Sequence, residues 1–340
     1  MLIIPLQSLP SLASRYDKNM DQLSITRDKA RAYLKKVQRT DGFFPYKASG
    51  DPSTEATAWA AIALCKDGEP APVDALRALA NSQGTKGGWA TRQDTGRPDW
   101  TSGPATLALR VAMPRLKPVL ASEQKLDTSS RRGLDYLLES RTDFYGPTAR
   151  LLLFLTKGRS GLDYSRGWPW DPECFHWIEP TAYCLMAAKI PNQPKKGALG
   201  EMIELAERFI LDHHCIDGGW NHGNNITLGA YLPSYRLTTA EALLALQNRR
   251  DEKKVDQAVH YLSKQSQSDT SAHALAMSIL ALAAYQKSHA TNFDLELQQL
   301  MARQKDDGSF GHDSSVLVTA LALLALETAL DTDDQLLVMK

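Results

Sequence analysis

The chain of 340 residues has no net charge: 39 lysines and arginines balance 39 aspartates and glutamates. Bulk electrostatics therefore gives no reason to expect a nucleic acid or an anionic membrane as partner. No apolar run approaches about eighteen residues, so no transmembrane helix is expected. A peripheral contact with a membrane stays compatible with the composition. Cysteine is scarce: Cys65, Cys174, Cys184 and Cys215 form no close-spaced framework. That scarcity points to a reduced, cytoplasmic setting. The opening MLIIPLQSLPSLASR lacks a basic leading region and is broken by Pro5 and Pro10. It reads as a short arm, not a signal peptide.

Several chemistries are missing as well. There is no GxSxG elbow for a nucleophilic serine, no phosphate loop and no dinucleotide fingerprint. Candidate metal ligands occur in His213, His214 and Cys215 with His222, and in Cys174 with His176. Neither set has four-ligand spacing, so no metal and no other cofactor is expected. His213 and His214 have a second reading as the end of a helix, where imidazole meets free carbonyls.

What the sequence does contain is a repeat. Five loops place glycine beside an aromatic: TDGFFPY (40–46), KGGWATR (86–92), RGWPWDP (166–172), DGGWNHG (217–223) and DDGSFGH (306–312). Each is followed by an Ala/Leu-rich segment: TEATAWAAIAL (54–64), SGPATLALRVA (102–112), EPTAYCLMAA (179–188), LTTAEALLAL (237–246) and VTALALLAL (318–326). SAHALAMSILALAAY (271–285) fits the same register without an aromatic loop, and YGPTARLLLFL (145–155) fits too, so six or seven units are open.

The Ala/Leu segments are apolar nearly all round and must be buried on every side. AERFILDH (206–213) and AVHYLSKQ (258–265), from the alternate helices, carry polar faces. Buried inner helices wrapped by amphipathic outer ones satisfy both patterns. We expect an all-α chain, an α/α toroid of about six hairpins, with an open solenoid as the alternative. The expected divisions are an N-terminal arm (1–26), the repeat domain (27–329) and a polar C-terminal tail (330–340).

These loop-plus-helix units resemble the glutamine–tryptophan repeats of the prenyltransferase and squalene-cyclase superfamily of α/α toroids. DGGWNHGN followed by LTTAEALLALQ, and GWPW followed by EPTA, resemble its repeat-only bacterial branch. The resemblance implies an isoprenoid-like apolar ligand, and proton-initiated cyclisation if the protein is an enzyme. Cyclases of that kind use a DxDD motif inside the barrel mouth. Here Asp331-Thr332-Asp333-Asp334 lies after the last repeat helix, in a polar stretch unsuited to raising a carboxyl pKa. The DDxxD motif and the Asp-x-Cys pair of zinc-dependent relatives are absent.

Register selects the candidate site. Thr57, Thr181, Thr239 and Thr319 coincide, and two residues earlier stand Glu55, Glu179, Leu237 and Leu317, with Gly103 and His273 on the other inner helices. In a closed ring these six gather at one mouth. Glu179, ahead of Pro180, is expected at a helix cap. Glu55, Glu179 and His273 are candidates for acid–base work, or for capping and hydrogen bonding between repeats. Trp168 and Trp220 hold the repeated aromatic position, which suits packing. Trp170 and Trp177 are extra to it and suit a pocket wall, where an aromatic face can stabilise a cation. Tyr235, just before its inner helix, joins Trp168, Trp170, Trp177 and Trp220 as a substrate-binding candidate. The alternative to a ligand cavity is a non-catalytic scaffold that binds a protein or peptide and fills its own axis.

Overall fold

A computed structural model describes residues 12–67, 70–91, 96–120, 123–140, 148, 151–152, 154–155, 167–190, 197–264, 271–285, 293–331 and 335–339. Outer and inner helices alternate along the chain. The outer ones are α1 (Leu12–Val37), α3 (Pro70–Ser82), α5 (Gln124–Glu139), α7 (Gly197–Asp212), α9 (Lys253–Lys264) and α11 (Phe293–Met301). The inner ones are α2 (Thr54–Leu64), α4 (Ser102–Leu120), α6 (Ile178–Lys189), α8 (Arg236–Ala245), α10 (Ala272–Ala284) and α12 (Val316–Leu330). Each inner helix packs on the next, and α12 packs back on α2. The cylinder is closed, so the fold is an α/α toroid of six hairpins and not an open solenoid. The 145–155 stretch lies largely outside the described residues; Leu151, Leu152, Phe154 and Leu155 are exposed, and the ring closes without them.

Burial follows the sequence pattern. In α12 every residue from Val316 to Thr328 is buried. In α9 only Val255, Ala258, Val259 and Leu262 are, the single stripe of an amphipathic helix. Two small devices fix the repeat. A hydroxyl on each of five inner helices accepts the backbone N–H of the preceding aromatic: Thr57 from Phe44 (2.9 Å), Ser102 from Trp89 (2.8 Å), Thr181 from Trp168 (2.8 Å), Thr239 from Trp220 (2.9 Å) and Thr319 from Phe310 (2.9 Å). A glutamine at the end of an outer helix then spans its own loop and the next outer helix. Gln38 donates to the Gly42 and Ala71 carbonyls, and Gln83 to those of Gly87 and Ser129. Gln304 donates to Gly308 (3.1 Å) and to Thr26 of α1 (2.7 Å), which stitches the last unit to the first. Gly308 sits at φ +88°, where a Cβ would collide with the Lys29 carbonyl.

Two expected boundaries move. The arm is not separate from the domain, because α1 runs through residues 26 and 27, buries Leu23 and Thr26, and packs on α12. The described part of the tail docks back: Leu337 is buried, Gln247 Nε2 donates to the Leu337 carbonyl (2.8 Å), and Met339 N–H donates to Gln247 Oε1 (2.9 Å). The apolar residues Leu336 to Met339 pack against the core; a polar start hid an apolar end. Short hairpins pair β1 (Trp168–Pro169) with β2 (His176–Trp177) and β3 (Ile226–Thr227) with β4 (Ala230–Tyr231). Among the described residues no helix is long and apolar enough to cross a membrane.

Candidate functional site at the barrel mouth

The inner helices all begin at one end of the cylinder. Ser53, Ser271 and Ser315 cap α2, α10 and α12 through their hydroxyls, while Trp177 and Tyr235 occupy the cap positions of α6 and α8 without a side-chain cap bond. Glu179 was expected at the cap. It lies two residues past the cap, inside the first turn, because Trp177 takes the extended cap conformation and first-turn N–H groups need no helical acceptor, which accommodates Pro180.

The structure brings Glu55 and Glu179 together, although α4 stands between their helices. The residue of α4 at that level is Gly103, so no side chain intervenes. Both carboxyls keep some solvent contact, yet desolvation dominates their electrostatics. It pushes Glu55 up to about 8, with the charges of Glu179 and Asp99 adding to it. It pushes Glu179 up to about 7. Tyr46, on the loop above, is close enough for both glutamates to raise its phenol. His273 takes the equivalent place on α10, with α8 and its Leu237 between it and Glu179.

One turn deeper the lumen positions are Trp59, Leu107, Tyr183, Glu241, Met277 and Leu321, all buried. Trp59 and Tyr183 meet across the lumen, ring centroids 5.4 Å apart, edge to face. The Tyr183 hydroxyl donates to Glu241 Oε1 at 3.0 Å. Burial raises the Glu241 pKa well above the usual carboxylate range, and Glu179 and Glu55 raise it further. These six buried side chains fill the axis beneath the mouth.

The tryptophans separate into two kinds. Trp168 and Trp220 are buried, with indole N–H groups donating to the Leu137 and Ile210 carbonyls at the ends of the outer helices (3.1 and 2.6 Å). They are packing wedges and do not form a ligand wall, which corrects the substrate-binding expectation for these two. Trp170 and Trp177 remain partly exposed. Trp170 meets Trp100 edge to face at 4.5 Å. Trp177 stacks on Phe175 at 5.1 Å and meets His222 at 6.3 Å, and His222 meets Tyr235 at 5.2 Å. Phe175, Trp177, His222 and Tyr235 therefore form an aromatic arc beside Glu179, on the α6–α8 side of the mouth.

No protein-family model matches the chain, and no curated protein matches it in sequence. Solved structures do match in shape. The type II terpene cyclase MstE from Scytonema, in complex with geranylgeranyl dihydroxybenzoate, has a TM-score of 0.61 at 15% identity, over 93% of this chain and 99% of its own. The α-1,6-mannanase of Salegentibacter sp. HEL1_6 has 0.62 at 9%, over 91% and 100%. A glycosidase in complex with glucose has 0.62 at 12%, over 95% and 99%. These likenesses show the α/α-toroid fold, and their different chemistries leave the choice of reaction to the residues.

Elsewhere, His213 Nδ1 lies 2.7 Å from the Phe209 carbonyl just past the end of α7, the helix-end arrangement. Among the described residues no three His, Cys, Asp or Glu side chains are grouped to hold a metal, and none of the four cysteines is in a disulfide. Residues 332–334 of the Asp-rich run lie outside the described residues. Register, taken at the helix starts alone, reaches only the first layer of the lumen. Glu241, Tyr183 and Trp59 lie four residues after Leu237, Glu179 and Glu55, and an acid in the middle of a segment that must be buried all round was the signal for the first of them.

Proposed function

We propose that the chain is an enzyme that binds an apolar, isoprenoid-like small molecule at the barrel mouth and donates a proton to it from the Glu55–Glu179 pair. The observation that carries this reading is a pair of part-buried carboxyls, brought together from two inner helices, at the mouth that also bears half-exposed aromatic rings; desolvation raises the pKa of both. Glu179 is the donor beside the arc, Glu55 shares its proton load, and His273 orients the ligand from the far side of α8. Trp177, Tyr235 and Trp170 form the wall, where aromatic faces favour a developing cation. The likeness to MstE supports the ligand class. The filled layer beneath is the feature expected of the scaffold alternative, so this reading puts the ligand on the mouth and not down the axis.

One observation favours a second reading. A carboxyl with a pKa near 7 or 8 is a weak acid toward an alkene carbon, and well matched to a glycosidic oxygen near neutral pH. Two neighbouring carboxyls are also the equipment of glycoside hydrolysis. The test runs both substrates in deuterated water: geranylgeraniol, and a panel of nitrophenyl mannosides and glucosides. The expected result is a cyclised product carrying solvent deuterium on carbon, reduced about 10²–10⁴-fold by Glu179→Gln. Release of nitrophenol transfers the site to the second reading. Neither product, with no apolar molecule retained in native mass spectrometry, sinks both.

A further inference from the structure

Glu241 sits in the middle of α8 and is fully buried. Its Oε1 accepts from Tyr183, while Oε2 finds no hydrogen-bond partner among the described residues. The titratable groups that act on it are Glu179 and Tyr183 from α6 and Glu55 from α2. Arg236, on its own helix, is directed to Glu296 of α11 and does not neutralise it. A buried carboxylate with one bare oxygen, two acidic neighbours and no cation is strongly unfavourable. This environment favours the neutral acid over the carboxylate, with Oε1 accepting from the Tyr183 hydroxyl. That hydroxyl is buried too and needs an acceptor. Tyr183 in turn spans the lumen to reach Trp59.

We propose that Glu241 is a positioning residue: through its hydrogen bond to Tyr183 it holds closed the floor beneath the Glu55–Glu179 pair, and so keeps water from those carboxyls from below. This rests on the reading of that pair as the working site. The buried layer under the mouth acids contributes to their desolvation, and the Tyr183–Glu241 hydrogen bond ties two adjacent inner helices together within it.

The test is a titration of glutamate carboxyls by ¹³C NMR in the wild type, Glu241→Gln and Glu241→Ala. Glutamine keeps an oxygen where Tyr183 donates; alanine removes it and leaves a gap for water. The expected result is that Glu241→Gln leaves the midpoints of Glu55 and Glu179 in place, while Glu241→Ala lowers both by about one pH unit or more toward the ordinary range. Unchanged midpoints in Glu241→Ala, or an equal fall in Glu241→Gln, overturn the proposal. Should Glu241→Ala fail to fold, infrared difference spectra of the wild type against Glu241→Gln decide it. A protonated-carboxyl band that survives above the Glu55 titration and is missing in Glu241→Gln supports the neutral acid, and its absence from the wild type overturns it. Neither readout uses turnover. The floor can therefore fail while the proton-donor reading stands, or stand while no substrate is ever converted.

Discussion

Glu207 and Glu55 are both desolvated acids, but they sit at opposite ends of the same cylinder. Glu207 meets Lys189 Nζ at 2.8 Å and Arg249 Nε at 2.6 Å. Desolvation alone would raise its pKa; the charge of Lys189 and hydrogen bonds from Lys189, Arg249 and Asn248 outweigh it and hold the carboxyl below the usual range. At this end basic side chains also meet the free carbonyls of helix C-termini: Lys189 at Ala245, Arg110 at Ile190 (2.7 Å) and Arg250 at Ala284. Arg31 pairs with Glu327. At the mouth no cation acts on the lumen acids among the described residues. One end uses charge to hold helices together. The other raises the pKa of its lumen acids by partial desolvation, without a cation set against them among the described residues.

The contrast between the ends breaks most visibly at Lys189. Lys189→Met leaves Glu207 buried, with only the part-exposed Arg249 beside it. We expect a loss of about 3–5 kcal/mol, the range for orphaning one member of a buried pair, read as a drop in urea midpoint at neutral pH. Deleting residues 335–340 also acts at the closed end. It exposes the surface under Leu337, removes one of the two acceptors of Gln247 Nε2 and leaves Gln247 Oε1 without its Met339 donor; Nε2 keeps the Leu244 carbonyl. The expected loss is about 2–3 kcal/mol, with no change in the titration of Glu55 or Glu179. Thr239→Val acts nearer the mouth. It removes the acceptor of the Trp220 backbone N–H and keeps the bulk of the side chain, for about 1–3 kcal/mol, followed by thermal unfolding.

Those two ends were unequally legible in the sequence. The ring was readable because it rests on periodicity: segments apolar all round, alternating with amphipathic ones, have few ways to be buried. Register then placed Glu55 and Glu179 at one mouth, since inner helices of equal phase must start at equal height. The cation-capped end was not readable, because Lys189, Glu207 and Arg249 belong to different elements and share no spacing. The partition of the tryptophans was half readable. Trp168 and Trp220 follow the repeat and pack, as a repeated residue should. Trp177 and Tyr235 became an arc only because both stand at cap positions of adjacent helices. The docked tail was misread from its acidic start, when the informative residues were the apolar ones behind it.

The smallest expected effect is the sharpest, because the two ends predict opposite signs. Glu207, depressed in the fold, contributes stability that is present above its unfolded value of 4.5 and is lost as pH falls through its folded pKa. Glu55 is raised to about 8 from 4.5. Between those values the folded state keeps a proton that the unfolded chain has released, so stability falls as pH rises across the window and levels off above it. Glu179, raised to about 7, acts in the same direction over a shorter span. Part of this effect is screened, because both side chains keep solvent contact. Glu55→Gln removes the ionisation without removing the shape. It should leave the urea midpoint near its wild-type value at about pH 4 and raise it above wild type at about pH 9. Glu207→Gln should instead lower the midpoint at about pH 7, with the deficit shrinking as acid protonates the wild-type carboxyl. If Glu55→Gln destabilises the protein at alkaline pH, then Glu55 has a cationic partner in the fold and the two ends of the barrel are built alike.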